Sequence, residues 1–239
     1  LPTDLFTLVV GLPILLGSMW LARRNNLLGL LSWPGALLYV LYIHIAYAII
    51  VQFNFLFLAY VSLVALSAYT TIGLAASIDA EAVRQRLAGF VPERIAGVIL
   101  FSLAILFSLM NLAYVVTALT SPAVSHPLEM PVWIVDFVVL APAWIIGGIL
   151  LLRRKALGYV SGAALLLVGC MLFLGAIFSI VYTALYTGSP LDMAGIVIKL
   201  VASLICVVPF ALCVRGVLCA DRGALPGWTH PPSPRLTGC

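Results

Sequence analysis

Read for hydropathy alone, the chain is a series of long apolar runs separated by short polar breaks. A bilayer core about 30 Å thick takes roughly 20 residues of helix. Seven runs meet that length, at about 5–22, 27–50, 53–75, 95–119, 131–152, 157–186 and 192–214. One break has a period of its own. In "SIDAEAVRQRLAGFVPER" (77–94), Asp79 is placed to cap a short helix, and Val83, Leu87 and Phe90 recur at helical spacing among charged neighbours. This predicts an amphipathic connector lying along the membrane interface. The end of the chain, residues 219–239, is rich in Pro and Gly and is expected to be an irregular tail.

Composition turns this pattern into a fold class. Of the 239 residues, 64% are hydrophobic and only 8% charged, and the mean hydropathy is +1.22. A soluble domain is about a quarter charged. The expectation is an all-α membrane protein: one seven-helix domain over residues 1–218, with the bilayer as its surroundings. The net charge of +4 carries no nucleic-acid signal, because the basic residues cluster at the ends of the apolar runs, where they set topology. Of the twelve Lys and Arg residues, all but Lys199 fall on one side of the membrane under the seven-span count. That asymmetry places the N-terminus outside and the C-terminus in the cytoplasm, as in a prokaryotic cytoplasmic membrane.

An internal similarity suggests how the bundle arose. "GLPILLGSMWLARRNNLLGLLSWPGALL" (11–38) resembles "LAPAWIIGGILLLRRKALGYVSGAALL" (140–166). Pro13 aligns with Pro142, Arg23–Arg24 with Arg153–Arg154, and Gly29 with Gly158. The predicted plan is a three-helix unit (about 5–75), a linker helix (about 95–119) and a second copy of the unit (about 131–214).

The candidate chemistry lies in the few polar residues within the runs. Ionisable groups inside a membrane are expensive and point to function. Three occur: His44, Asp136 and Lys199. At about 1.5 Å per residue, Lys199 lies about 10 Å from its outer boundary, Asp136 about 8 Å, His44 about 12 Å and Asn111 about 13 Å. All four fall in one layer of the outer half. In the last span, Asp192, Gly195, Lys199, Ser203 and Cys206 form one helical face. Gly175, Ser179, Tyr182 and Tyr186 do the same in the sixth span, and His44 and Tyr47 share a face in the second. Lys199 and Asp136 are expected to pair across the bundle, since either charge alone in hydrocarbon costs several kcal/mol. The expected solute-binding set is Lys199, Asp136, His44, Asn111, Tyr47, Tyr182 and Ser203.

One deep carboxylate and one deep histidine are too few ligands for a zinc site. There is no Gly-rich phosphate loop, HExxH or GxSxG, so neither catalysis nor a cofactor is expected. The five cysteines are odd in number and lack metal-ligand spacing.

The 3+1+3 arrangement, with Pro13 and Pro142 in the first span of each unit and Pro34 in the second span, resembles the SWEET/PQ-loop class of transporters, which tends to place helix-kinking prolines there. The chain lacks a Pro-Gln pair, and the counterpart of Pro34 falls near Ser161–Gly162. With the polar layer, this leads to an expected small polar or zwitterionic solute and rocking of the two halves about kinks at Pro13, Pro34, Pro142 and Pro209. Seven spans with a lysine in the last also resemble microbial rhodopsins. That would make Lys199 a Schiff-base residue for retinal, although the third span supplies no carboxylate counter-ion. The expectations are therefore a transporter or binder with an outward-opening pocket, then a structural or accessory membrane subunit, then a sensory protein.

Overall fold

The computed structural model describes residues 2–24, 26–50, 55–89, 91, 93–120 and 130–223. Among these residues the protein is all helix. Seven helices are long and apolar enough to cross a membrane, and the chain is a multi-pass membrane protein. The helices are α1 (Pro2–Arg23), α2 (Leu27–Ile50), α3 (Phe55–Ser77), the short α4 (Ala80–Leu87) and α5 (Glu93–Thr120). Then come α6, built from Met130–Val135, Asp136–Leu140 and Ala141–Leu152, α7 (Ala156–Thr187) and α8 (Met193–Gly223). The helix α8 runs past the expected boundary at residue 219, because nothing in Ala220, Asp221 or Arg222 breaks a helix before Gly223. The rest of the expected tail lies outside the described residues.

Packing centres on α7, which meets α1, α2, α4, α5, α6 and α8. From Gly158 to Met171 nearly every α7 side chain is buried, as suits a helix surrounded by others. The helix α2 lies between α1 and α3, and α5 packs chiefly on α6. Small residues set the α5–α6 distance: a Cβ on Gly148 would sit 3.0 Å from the Gly97 carbonyl oxygen. Close backbone approach of this kind replaces the hydrophobic drive that lipid cannot supply. In contrast, α3 buries only Ser67, and Phe55, Leu58, Leu66, Tyr69 and Ile72 are more than half exposed. Water would penalise each by about 1.5–3 kcal/mol, whereas acyl chains accept them.

The amphipathic connector forms as the spacing predicts. Asp79 caps it by accepting from the Glu81 and Ala82 amides, and Val83 and Leu87 are buried against α7 and α8. Phe90 lies outside the described residues.

Two local features had no signal in the hydropathy pattern. Thr7–Gly11 in α1 and Asp136–Leu140 in α6 are π-helical turns. Each ends two residues before a proline, Pro13 or Pro142. The wider turn accommodates a proline that donates no backbone bond and crowds the preceding turn. The hairpins that follow these helices also match. The Asn26 amide donates to the Leu21 carbonyl and the Lys155 amide to the Leu150 carbonyl. A Cβ on Gly29 would strike Ala22 and Leu21, and one on Gly158 would strike Leu150 and Leu151.

Candidate polar site within the bundle

Asp136 opens the π-turn of α6 and is 2% exposed. Its Oδ1 accepts from the Tyr42 hydroxyl of α2 at 2.5 Å, and its Oδ2 from the Asn111 amide of α5 at 2.9 Å. Asn111 reaches it because it continues the buried α5 face of Leu100, Leu103 and Ala104. Tyr42 reaches it from the face of α2 that carries Ala46 and Leu31. Three helices thus meet at one carboxylate, and each oxygen has a donor. Hydrogen bonds to a charged group are worth about 1.5–3 kcal/mol.

The expected partner of Asp136 is not the one it takes. The ion pairs among the described residues are Glu81–Arg84 and Glu93–Arg154, and Lys199 is in none. Lys199 is half-buried on the face of α8 that continues into buried Ser203 and Cys206. Of the expected stripe, Ser203 and Cys206 are buried, Gly195 and Lys199 are half-buried and Asp192 is exposed, and the ion pair is not formed. Neutral donors already serve both Asp136 oxygens.

The first helix repeats part of this arrangement. Thr7 opens the π-turn of α1, donates to the Thr3 carbonyl at 2.8 Å, and lies 3.1 Å from the Tyr39 hydroxyl. The first residue of each π-turn thus engages a tyrosine of α2. Tyr39 and Tyr42, three residues apart on α2, divide between α1 and α6.

The remaining expected residues scatter around this node. His44 is 9% exposed; its Nδ1–H donates to the Val40 carbonyl at 2.7 Å, a bond that fixes the tautomer. Its ring lies 6.2 Å from Tyr47 and 6.0 Å from Tyr60 of α3. Tyr47 points toward Thr3 and Asp4 at the start of α1. Tyr182 stacks within its own helix between Phe178 and Tyr186. Ser203 is 2% exposed on α8. His44 and Tyr47 thus join α1, α2 and α3, while Asp136 and Asn111 form a separate group with Tyr42.

A second carboxylate node escaped the reading of the chain. Glu93, at the start of α5, is 8% exposed. Its Oε1 accepts from the Tyr159 hydroxyl of α7 at 2.8 Å, and its Oε2 lies 3.8 Å from Arg154. Arg154 adopts a φ of 51° in the turn before α7, a region non-glycine residues rarely occupy. An acid in the first turn of a helix is ordinarily a surface residue that answers the helix dipole, which is why its burial was not legible. A tyrosine one turn into α7 was the available hint. The helix α5 therefore carries Glu93 at its first residue and Asn111 eighteen residues later, about 27 Å along the axis.

Buried polar atoms elsewhere are few. Among the described residues Trp144 Nε1 lacks a partner; its ring packs on Phe107 and Phe173. A cavity of about 200 Å³ lies at the arginine-bearing end, between the α1–α2 turn and α4. No protein-family model, curated protein or solved structure matches the chain.

Proposed function

We propose that the protein is a non-catalytic transporter or binder of small polar solutes in a prokaryotic cytoplasmic membrane, built from two related three-helix units joined by α5. In this reading the N-terminus is outside and the C-terminus cytoplasmic, following the arginine asymmetry. The observation that carries the reading is the pair of carboxylate–tyrosine nodes along α5, one at its first residue, Glu93, and one at Asn111, about 27 Å further on. The outer node ties α6 of the second unit to α2 of the first through Asp136 and Tyr42, with Asn111 as the linker's contribution. The inner node ties the linker to the second unit through Glu93 and Tyr159. A bundle that opens to one side at a time needs releasable contacts at separate depths, and a few hydrogen bonds are a cost that ligand binding can meet. The π-turns and prolines of α1 and α6 supply places for the halves to bend. Lys199, half-buried and in no ion pair among the described residues, is the charge left for an anionic or zwitterionic solute.

Ile196→Cys, one turn from Lys199 on α8 and leaving that lysine in place, tests this reading in a background with the native cysteines replaced. Water-soluble maleimides should label it from the outside in intact cells, and a zwitterionic solute that raises the melting temperature should protect it. A position sealed from the reagent on both sides would refute the reading. The second reading, a structural subunit whose polar layer only locks helices, draws on the saturated hydrogen bonding of Asp136. It expects that sealed result.

A further inference from the structure

We propose that the cavity at the arginine-bearing end is a headgroup site for one anionic phospholipid. Its floor is apolar, made by Leu27 and Leu30 of α2 and Val83 of α4. Its polar rim is Asn26, Asp79 and Arg86. Two of these three have donors to offer. Asn26 spends its Oδ1 on the Leu28 amide at 2.9 Å, which leaves its side-chain NH₂ for a ligand. Arg86 is exposed and in no ion pair among the described residues, whereas its neighbour Arg84 is held by Glu81. The third, Asp79, is engaged through its Oδ1 with the Glu81 and Ala82 amides, so its charge is answered by the first turn of α4.

The surroundings suit a lipid rather than a soluble anion. Arg23 and Arg24 lie in the chain between the lining residues Ala22 and Asn26, and Arg24 lies 3.7 Å over the ring of Trp20. Trp20 is 53% exposed on a helix whose span is mostly unburied. An aromatic ring and a guanidinium at this depth mark the headgroup level. The amphipathic α4 lies in the same plane, with Val83 and Leu87 inward. A phosphate at Arg86 and Asn26 would leave its glycerol and first methylenes over Leu27, Leu30 and Val83. Basic pockets between helices at this level are where anionic headgroups dock, and a choline headgroup would bring its own cation to the arginines.

Native mass spectrometry of the full chain in mild detergent tests the site, with phosphatidylglycerol or phosphatidylcholine titrated in. One phosphatidylglycerol should bind in preference to phosphatidylcholine. Arg86→Gln should weaken it about fivefold, as expected for one basic residue at a lipid headgroup, and Arg84→Gln should leave it unchanged. Leu30→Trp, which fills the floor without touching a charge, should also weaken it. Equal retention of both lipids would overturn the proposal, as would unchanged binding in both Arg86→Gln and Leu30→Trp. Displacement of the lipid by millimolar glycerol 3-phosphate would identify the cavity as a soluble-anion site and equally overturn it. Size-exclusion profiles matching the wild type establish that each variant is folded.

Discussion

Gly35 of α2 lies against Ala164 of α7 so closely that a Cβ on Gly35 would sit 2.6 Å from the Ala164 carbonyl oxygen. The two residues are separated by the same interval as Pro13 and Pro142, and as Gly29 and Gly158. In the proposed arrangement of two related units, a contact between residues at equivalent positions would lie on the axis between them. The central α2–α7 crossing is where such an axis would run.

Gly35→Leu should therefore be among the most damaging single changes. The obstacle is backbone rather than a flexible side-chain end, so the helices must separate. Overpacking of this kind costs about 1–3 kcal/mol or more. Gly17→Ala is the control, since nothing lies within 4 Å of a Cβ there. It should be neutral or slightly stabilising, because Ala favours helix over Gly by about 0.5–1 kcal/mol. Thermal unfolding in detergent should separate the two variants clearly; equal melting temperatures would mean α2 and α7 do not cross as described.

The Asp136 node yields a coupling measurement. Tyr42→Phe and Asp136→Ala each remove one partner of a single 2.5 Å hydrogen bond. In a double-mutant cycle their effects should fall short of additive by about 1–3 kcal/mol. Asn111→Leu with Asp136→Ala should couple in the same sense through the 2.9 Å bond. Additive losses would place Tyr42 or Asn111 outside the node.

Lys199→Met discriminates between the pairing expected from the chain and the arrangement found. If Lys199 neutralised Asp136, removing it would strand a buried charge and cost about 3–5 kcal/mol. With Asp136 served by Tyr42 and Asn111, the change should cost little or stabilise, and its effect should add to that of Asp136→Asn. The rise in melting temperature that a zwitterionic solute gives the wild type should disappear in the same variant. A large loss of stability that Asp136→Asn rescues would restore the ion pair.

These contrasts show what the chain made legible. Span positions could be read because hydrocarbon thickness sets their length, and α8 could be oriented because Ser203 and Cys206 interrupt a Leu/Val surface at helical spacing. The partner of Asp136 could not, because charge alone favours a lysine at the same depth, whereas the bundle offers two neutral donors, a tyrosine from α2 and an asparagine from the preceding α5. Glu93 was masked by its position in a first helical turn, where acids are commonplace. The π-turns were invisible because they depend on how a proline is relieved, and hydropathy carries no trace of that.

The connector α4 gives a pH-dependent signal at the surface. Hydrogen bonding to Arg84 holds the Glu81 carboxyl below its usual value. A depressed acid contributes while it is ionised: the contribution is full above the unfolded value of about 4.3 and is lost as pH falls through the lowered folded value. Amide exchange within α4, corrected for intrinsic rates, should therefore accelerate at the acid end. Glu81→Gln should remove that step, and salt should shrink it because the pair is exposed. A step that survives Glu81→Gln would have to come from another group.

The π-turn at Asp136 makes a length-sensitive prediction. A π-turn holds one residue more than an α-turn, so deleting a residue inside it leaves an ordinary helix whose flanks keep their faces. Val138 lies within Asp136–Leu140 and is 69% exposed, so its deletion removes little packing. Ile146 lies in the α-helical part of the same span and is 57% exposed. Deleting it should rotate one side of the helix against the other by about 100°. Either Asp136 would turn away from Tyr42 and Asn111, or Gly148 would turn away from Gly97. Loss of Val138 should thus yield a folded protein that retains part of the Tyr42–Asp136 coupling, while loss of Ile146 should abolish folding or coupling. Equal tolerance of the two deletions would show that the wider turn does not set the direction of Asp136.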